Sequence, residues 1–335
     1  QLNALVPAMS FALDSSKRNS KSALMSTRQT KEGGGDETAR TEQLAQFEKQ
    51  SFGDSPPLAL CVADTDRVHE YVFEAARIPE VRGASALLER LNETEIACNV
   101  FIEQFGAPEQ WIIYRGGGSL LAIVPASLQK SFQNAIEEYY PQRTLTATIT
   151  AVTGAVPLKE ICTNLGNWVD KLSHHLDIRK RQKLNIPYFQ MLPYVEQCQL
   201  CGIRPAYIHY SSEETDVPER LLVCEACLRK RKARDKPEVS KWLKKYLNKH
   251  GPLKEAYTKG IDLDNIAWCN DLSELGRTSG GYIAMIYGDG DDVGKVRKQL
   301  NSLKEFSEFA EGLKETTRHI VFHNLATYTN PVKLS

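Results

Sequence analysis

From about residue 57 the apolar positions of the chain fall into a regular order. Leu58–Ala63 is an unbroken apolar run of strand length. Val68, Tyr71, Val72, Ala75 and Ala76 then recur at the spacing of one helix face. A second helical stretch opens at Gly83, with Leu87, Leu91, Ala97, Phe101 and Phe105 facing inward and Gly106 and Pro108 ending it. Trp111–Arg115 and Leu120–Val124 read as strands joined by Gly116-Gly117-Gly118-Ser119, a hairpin with a glycine tip. Leu128, Phe132, Ala135, Ile136 and Tyr139 predict a helix. Thr144–Val152 closes the unit as a strand, with Leu145, Ala147, Ile149 and Ala151 alternating with threonines.

This order predicts the split βαβ, ferredoxin-like arrangement. Nucleotidyl-transferase palms share it, but the fold alone implies no chemistry. The expected class is therefore α+β. Residues 1–56 have little periodicity, and their Gly-Gly-Gly-Asp run at 33–36 reads as linker. Residues 157–190 look helical, and a basic, tryptophan-containing helix is expected over 238–249. The first pattern then restarts: Tyr282–Tyr287 reads as an apolar strand, with Val296, Leu300, Leu303, Phe306, Phe309, Leu313 and Ile320 following at helical spacing. Cys61 to Val68 and Ile286 to Val293 are each strand, Asp-x-Asp, then helix, which points to an internal repeat. The division is thus 1–56 N-terminal segment, 57–156 first domain, 157–258 helical and cysteine-bearing module, and 259–335 the start of a second copy. That copy reaches Ser335 before any second hairpin, and the sequence opens on Gln1 rather than methionine, so a longer protein is expected.

Composition narrows the class. Lys plus Arg and Asp plus Glu both number 42 in 335 residues, which excludes a uniformly basic nucleic-acid coat but leaves room for local patches. At 41% hydrophobic and 25% charged the chain can bury a core. No apolar run approaches the ~18–20 residues a membrane-spanning helix needs, and Leu2–Leu13 lacks the preceding basic residue of a signal peptide. A soluble, cytoplasmic protein without a membrane partner is expected.

Of eight cysteines, Cys61, Cys98, Cys162 and Cys269 are scattered in apolar or helical contexts and read as buried small hydrophobes. Cys198-Gln-Leu-Cys201 and Cys224-Glu-Ala-Cys227 are 22 residues apart. Each pair can aim two thiolates at one point, so the four predict a closed, structural zinc site. Arg179-Lys180-Arg181 with Lys183, and Arg229-Lys230-Arg231-Lys232 with Arg234, flank it. They read either as solvated helix surface or as a phosphate-binding face for RNA.

Asp289-Gly290-Asp291-Asp292-Val293-Gly294-Lys295 follows the second apolar run. Carboxylates at a strand end can hold one or two magnesium ions on a triphosphate, and Lys295 with the amides near Gly294 could touch phosphate oxygens. The alternative is an acidic turn capping a helix. His319 and His323 lie four apart, but position 320 is isoleucine, so no metalloprotease motif is formed and a surface or core role is expected; His174-His175 is read the same way.

In series these features resemble the large subunit of type III CRISPR effector complexes, over roughly residues 57–335. Asp64-Thr65-Asp66-Arg67-Val68 through Glu80-Val81-Arg82-Gly83-Ala84-Ser85 resembles the opening of that family's first palm. Tyr114-Arg115-Gly116-Gly117-Gly118-Ser119-Leu120-Leu121, ending at Pro125, resembles its degenerate hairpin, the four-cysteine module follows, and Asp289–Lys295 resembles the start of the second, catalytic palm. The resemblance implies two palms, the second incomplete here, separated by a helical zinc module. It implies ATP condensation into cyclic oligoadenylates when the guide RNA of a multisubunit complex pairs with target RNA. Asp289 would ligate magnesium or manganese together with the Gly290 carbonyl, Asp291 or Asp292 would assist, and Lys295 would lie near the triphosphate. Gly116, Gly117, Gly118 and Ser119 would help seat the other nucleotide. Two departures stand out: no Gly-Gly-Asp-Asp hairpin occurs, and none of the seven histidines precedes an aspartate, so a His-Asp nuclease is not supported. A noncatalytic scaffold anchoring guide RNA and neighbouring subunits is the alternative reading.

Overall fold

A computed structural model describes residues 57–75, 77–183, 194–212, 219–233, 238–260, 262, 276–284 and 293–328. Its centre is a four-stranded antiparallel sheet of β1 (Leu58–Asp66), β2 (Ile112–Gly116), β3 (Ser119–Pro125) and β4 (Thr148–Val156) in the order β2-β3-β1-β4. Between β1 and β2 run α1 (Val68–Val72), α2 (Ile78–Arg90) and a π-helical continuation (Leu91–Gln104); α3 (Gln129–Thr144) joins β3 to β4. This is the split βαβ connectivity read from the sequence.

β1 is central, and Leu58 to Ala63 are all buried, so both faces of the sheet are covered. One covering element is α5 (Leu165–Gln182), which follows the short α4 (Leu158–Thr163). It presents Leu165, Val169, Leu172 and Leu176, spaced three and four apart, to β1 and β4. Pro79 sits in the first turn of α2, where a missing N–H costs nothing.

The edge strand β2 is covered by α10 (Leu303–Tyr328), whose Leu303 and Phe306 enter the main core, while Lys314 pairs with Glu93 at 2.5 Å. That removes a free sheet edge. Just before α10, the carbonyl of Leu300 accepts the Gly166 N–H at 2.9 Å. A Cβ at Gly166 would stand 2.6 Å from that oxygen, so only glycine admits the contact.

The cysteine module contains a hairpin, β5 (Ile208–Ser212) with β6 (Glu219–Val223), followed by α6 (Glu225–Ala233). α7 (Glu238–Lys249) and α8 (Gly251–Thr258) pack against α10 through Leu243, Leu247, Tyr257, Phe322 and Ala326. α9 (Val293–Lys298) precedes α10 and is separate from it, so the periodic run from Val296 is two helices. Val296, Leu313 and Ile320, members of that run, are exposed.

Three further readings are corrected. β4 spans 148–156 rather than 144–152 because Thr144 ends α3: its hydroxyl bonds the Tyr140 carbonyl at 2.8 Å and receives the Ala147 N–H at 3.0 Å. Tyr282 and Ile283 are exposed and outside any strand; 285–292 lie outside the described residues. Cys98 is exposed, Cys61 is buried and Cys162 is intermediate; Cys269 lies outside the described residues.

Candidate functional site

Two adjoining centres carry the chemistry of the described residues, the carboxylate-bearing end of β1 and the four-cysteine cluster. At the first, β1 and β3 pair so that Asp64 lies opposite Ser119, whose Oγ donates to Asp64 Oδ1 at 2.6 Å. Thr65 donates through both its backbone N–H and its Oγ1 to the Gly118 carbonyl, each at 2.9 Å. The tip turns on positive φ at Gly116, Gly117 and Gly118 (143°, 61° and 93°). The φ of 93° favours glycine at position 118, and a Cβ there would also crowd Thr65 Oγ1 at 3.2 Å. The four residues expected at the hairpin tip are thus fixed to the strand end that bears Asp64 and Asp66.

Those two carboxylates are not available charges. Lys180, from the last turn of α5, places Nζ 2.5 Å from Asp64 Oδ2, 3.1 Å from the Thr65 carbonyl and 3.7 Å from Asp66 Oδ1. Lys183 reaches Asp66 Oδ2 at 3.0 Å and the Ile149 carbonyl at 2.6 Å. Thr148 and Thr150 donate to Asp66 at 2.8 and 2.7 Å. Burial pushes the Asp66 carboxyl up, but the hydrogen bonds from Thr150, Lys183 and Thr148 outweigh it and hold the carboxyl below its ordinary value. Two ammonium groups therefore neutralise two carboxylates, and a divalent cation here would have to displace both. An open cleft of about 380 Å³ lies beside Asp66. Of the cations that line it, Arg67, Lys180, Lys183 and Arg204 already face a carboxylate, on Glu70, Asp64, Asp66 and Glu74, while Arg181 is exposed.

The second centre gathers Cys198, Cys201, Cys224 and Cys227, with all four sulfurs within 4.8 Å of one another. Cys198 opens a tight turn in which its carbonyl accepts the Gly202 N–H at 2.8 Å, and Gly202 takes φ 66°. Cys224 opens the first turn of α6, its carbonyl accepting the Leu228 N–H at 3.0 Å. Zinc–sulfur bonds of ~2.3 Å in a tetrahedron require sulfurs about 3.8 Å apart; Cys201 and Cys224 are 4.0 Å apart. Hydrogen bonding among the four thiols divides their protons unequally, holding Cys198 and Cys224 below their ordinary values and Cys201 and Cys227 above them. Arg204 Nη1 lies 3.8 Å from the Cys201 sulfur, where it offsets the charge of a tetrathiolate. Four sulfurs with no open position can hold zinc structurally; among the described residues no other group brings its ligand atoms together this closely.

The basic runs beside this cluster are neither a solvated surface nor a phosphate face over most of their length. Lys230 is fully buried; its Nζ donates to the Tyr71 carbonyl at 2.6 Å and to Glu74 at 2.8 Å. Burial lowers its pKa to about 8. Glu74 also pairs with Arg204, and buried Arg231 pairs with buried Glu80 at 3.1 Å. Arg229 donates to the carbonyls of Gln142 and Arg143 at the end of α3. The two backbones nearly touch: a Cβ on Gly83 would stand 1.7 Å from the Lys230 carbonyl oxygen. The cysteine module is a wedge fastened to the first domain. In the other run, Arg179 pairs with Glu137 at 2.9 Å, leaving Arg181 and Lys232 exposed; Arg234 lies outside the described residues.

Of the residues expected to bind metal and triphosphate, Gly294 and Lys295 lie on the six-residue α9, and Lys295 is exposed. Asp289, Gly290, Asp291 and Asp292 lie outside the described residues. Sequence reasoning missed the roles of Lys180, Lys183 and Lys230, since nothing local identifies carboxylate partners more than 100 positions away. Among the described residues no helix is long and apolar enough to cross a membrane.

No protein-family model matches the sequence, and no curated protein matches it. Among solved structures, a chain of the apo Csm1-Csm4 cassette is similar at 16% identity and TM-score 0.33, over 38% of this chain and 19% of that one. The Csm1-Csm4 cassette in complex with pppApA is similar at 13% identity and TM-score 0.35, over 43% of this chain and 21% of that one. The Csm1-Csm4 subcomplex of the type III-A CRISPR-Csm interference complex gives 14% identity and TM-score 0.34, over 38% and 19%. The matched region is about a fifth of the length of these solved chains.

Proposed function

We propose that this chain is part of the large, palm-containing subunit of an RNA-guided type III CRISPR complex in the cytoplasm. In this reading the subunit condenses ATP into cyclic oligoadenylates when target RNA pairs with the guide. One observation carries it: a glycine hairpin tip held against a strand end whose two aspartates are already neutralised by lysines. A palm that seats a nucleotide without performing catalysis has this character, and it leaves the metal chemistry to a second set of carboxylates.

Under this proposal Gly116, Gly117, Gly118 and Ser119 seat one nucleotide. Asp289 and the Gly290 carbonyl ligate magnesium or manganese, Asp291 or Asp292 assists, and Lys295 and the Gly294 amide approach the triphosphate. Zinc in the four-cysteine centre keeps the wedge folded. The alternative is a noncatalytic scaffold that anchors guide RNA and neighbouring subunits; the internal ties of most of the basic runs count against RNA anchoring through them.

The test is mass spectrometry of products after the parent complex is incubated with ATP, magnesium and matching target RNA. Cyclic oligoadenylates that disappear with Asp289→Ala are expected. Absence of product while target RNA still binds would transfer the assignment to the scaffold.

A further inference from the structure

The packing of α7, α8 and α10 brings together three histidines that the sequence separates. His319 and His323 are one turn apart on α10, with ring centroids 5.4 Å apart. His250 sits at the junction of α7 and α8, where its N–H bonds the Leu247 carbonyl and its carbonyl accepts the Lys254 N–H. Its ring centroid is 6.2 Å from that of His319. Beneath the rings, Leu243, Leu247, Tyr257, Phe322 and Ala326 form a dry seam that fixes the three helices relative to one another. All three histidines are exposed, so an ion can reach them from solvent.

We infer that His250, His319 and His323 form a surface site for a borderline divalent transition-metal ion such as zinc, nickel or copper. Three imidazoles bound at ~2.0–2.1 Å to one tetrahedral ion have ring centroids roughly 5 Å apart; the His319–His323 separation of 5.4 Å is near this, and the His250 ring, 6.2 Å from His319, must swing inward. Closing the site takes rotation about side-chain torsions, which exposed histidines make between staggered wells at small cost. Tyr246 supplies the supporting contact: its hydroxyl is 2.9 Å from His319 Nδ1, which occupies that nitrogen and leaves Nε2 to bind the metal. Lys249 and Arg318 directly precede two of the ligands and oppose any cation. That penalty selects an ion with strong bonding to imidazole nitrogen over magnesium or calcium. Three protein ligands leave a coordination position for water, and the bound ion would tie α10 to the α7–α8 junction.

The test uses the full chain with its cysteine centre preloaded with zinc. Nickel and copper are titrated by calorimetry, and copper coordination is read from nitrogen hyperfine structure in electron paramagnetic resonance. One further ion per chain is expected, with a three-nitrogen signature. His250→Ala and His319→Ala should each weaken binding at least about tenfold and leave two nitrogens at most, as loss of one ligand from a chelate requires. Far-UV circular dichroism of both variants should match the parent, since the side chains are exposed. Affinity unchanged by His250→Ala would reduce the site to an ordinary histidine pair on one helix and overturn the inference. Absence of any ion beyond the cysteine centre would also overturn it.

Discussion

The two basic runs look interchangeable in sequence, yet the fold uses them differently. Arg179–Lys183 reaches along the sheet surface, closing two carboxylates at a strand end while its arginines remain partly in solvent. Arg229–Lys232 is driven into the body of the molecule, with Lys230 and Arg231 buried against Glu74 and Glu80. The difference is one of desolvation. A half-exposed pair contributes little and exchanges readily with water. A buried pair costs a great deal to break, because the surviving charge is left without solvent or partner. Runs of lysine and arginine therefore do not by themselves mark a nucleic-acid face.

The sharpest way to break this comparison is to unfold the element that delivers the second run. Cys224→Ser should lose zinc and melt the wedge together with its ion pairs, because metal binding to such a site is itself folding energy. Metal analysis and a melting curve check it, and an unchanged profile with full zinc content would contradict it. Gly83→Ala comes next. Its methyl group has no room 1.7 Å from a backbone oxygen, so α2 and α6 must separate, at a cost of about 3 kcal/mol. Equilibrium denaturation should show this with zinc retained.

Lys230→Met removes one of two cations from Glu74 and should cost about 2–3 kcal/mol, below the full range for a broken buried pair because Arg204 remains. Lys183→Met should cost about 1–2 kcal/mol, since it deletes charge-assisted hydrogen bonds to a half-buried carboxylate. Its effect should depend on pH. The Asp66 carboxyl is depressed below 3.8 in the fold, so its contribution is present above that value and lost as pH falls through the folded pKa. Acid titration of stability should therefore show a shallower loss below about pH 4 in the variant. Arg179→Ala, at the surface, should cost less than about 1 kcal/mol in the same assay.

Much of the first domain was legible because its signals are local. Apolar runs of strand length mark β1, β2 and β3, and the glycine tip marks the turn between the last two. The start of β4 departs from the sequence pattern for a local reason too: alternation from Leu145 imitates a strand, but the Thr144 hydroxyl closes α3 instead. The cysteine spacing announced its cluster. What could not be read were partnerships across the fold. Lys230 and Glu74 are 156 residues apart, and His250 meets His319 only because three helices share an apolar seam. The glycine at position 83 fits a helix start in sequence; only the α6 backbone above it explains why it is glycine.

The proposed function divides labour between two Asp-x-Asp turns: the first is neutralised by lysines, and the second is proposed to be catalytic. The direct measurement is cyclic oligoadenylate yield from the target-activated complex carrying Asp66→Asn, compared with Asp289→Ala. The account predicts that Asp66→Asn stays within a few-fold of the parent while Asp289→Ala yields no product. Loss of product with Asp66→Asn in a correctly assembled complex, or persistence with Asp289→Ala, would contradict it.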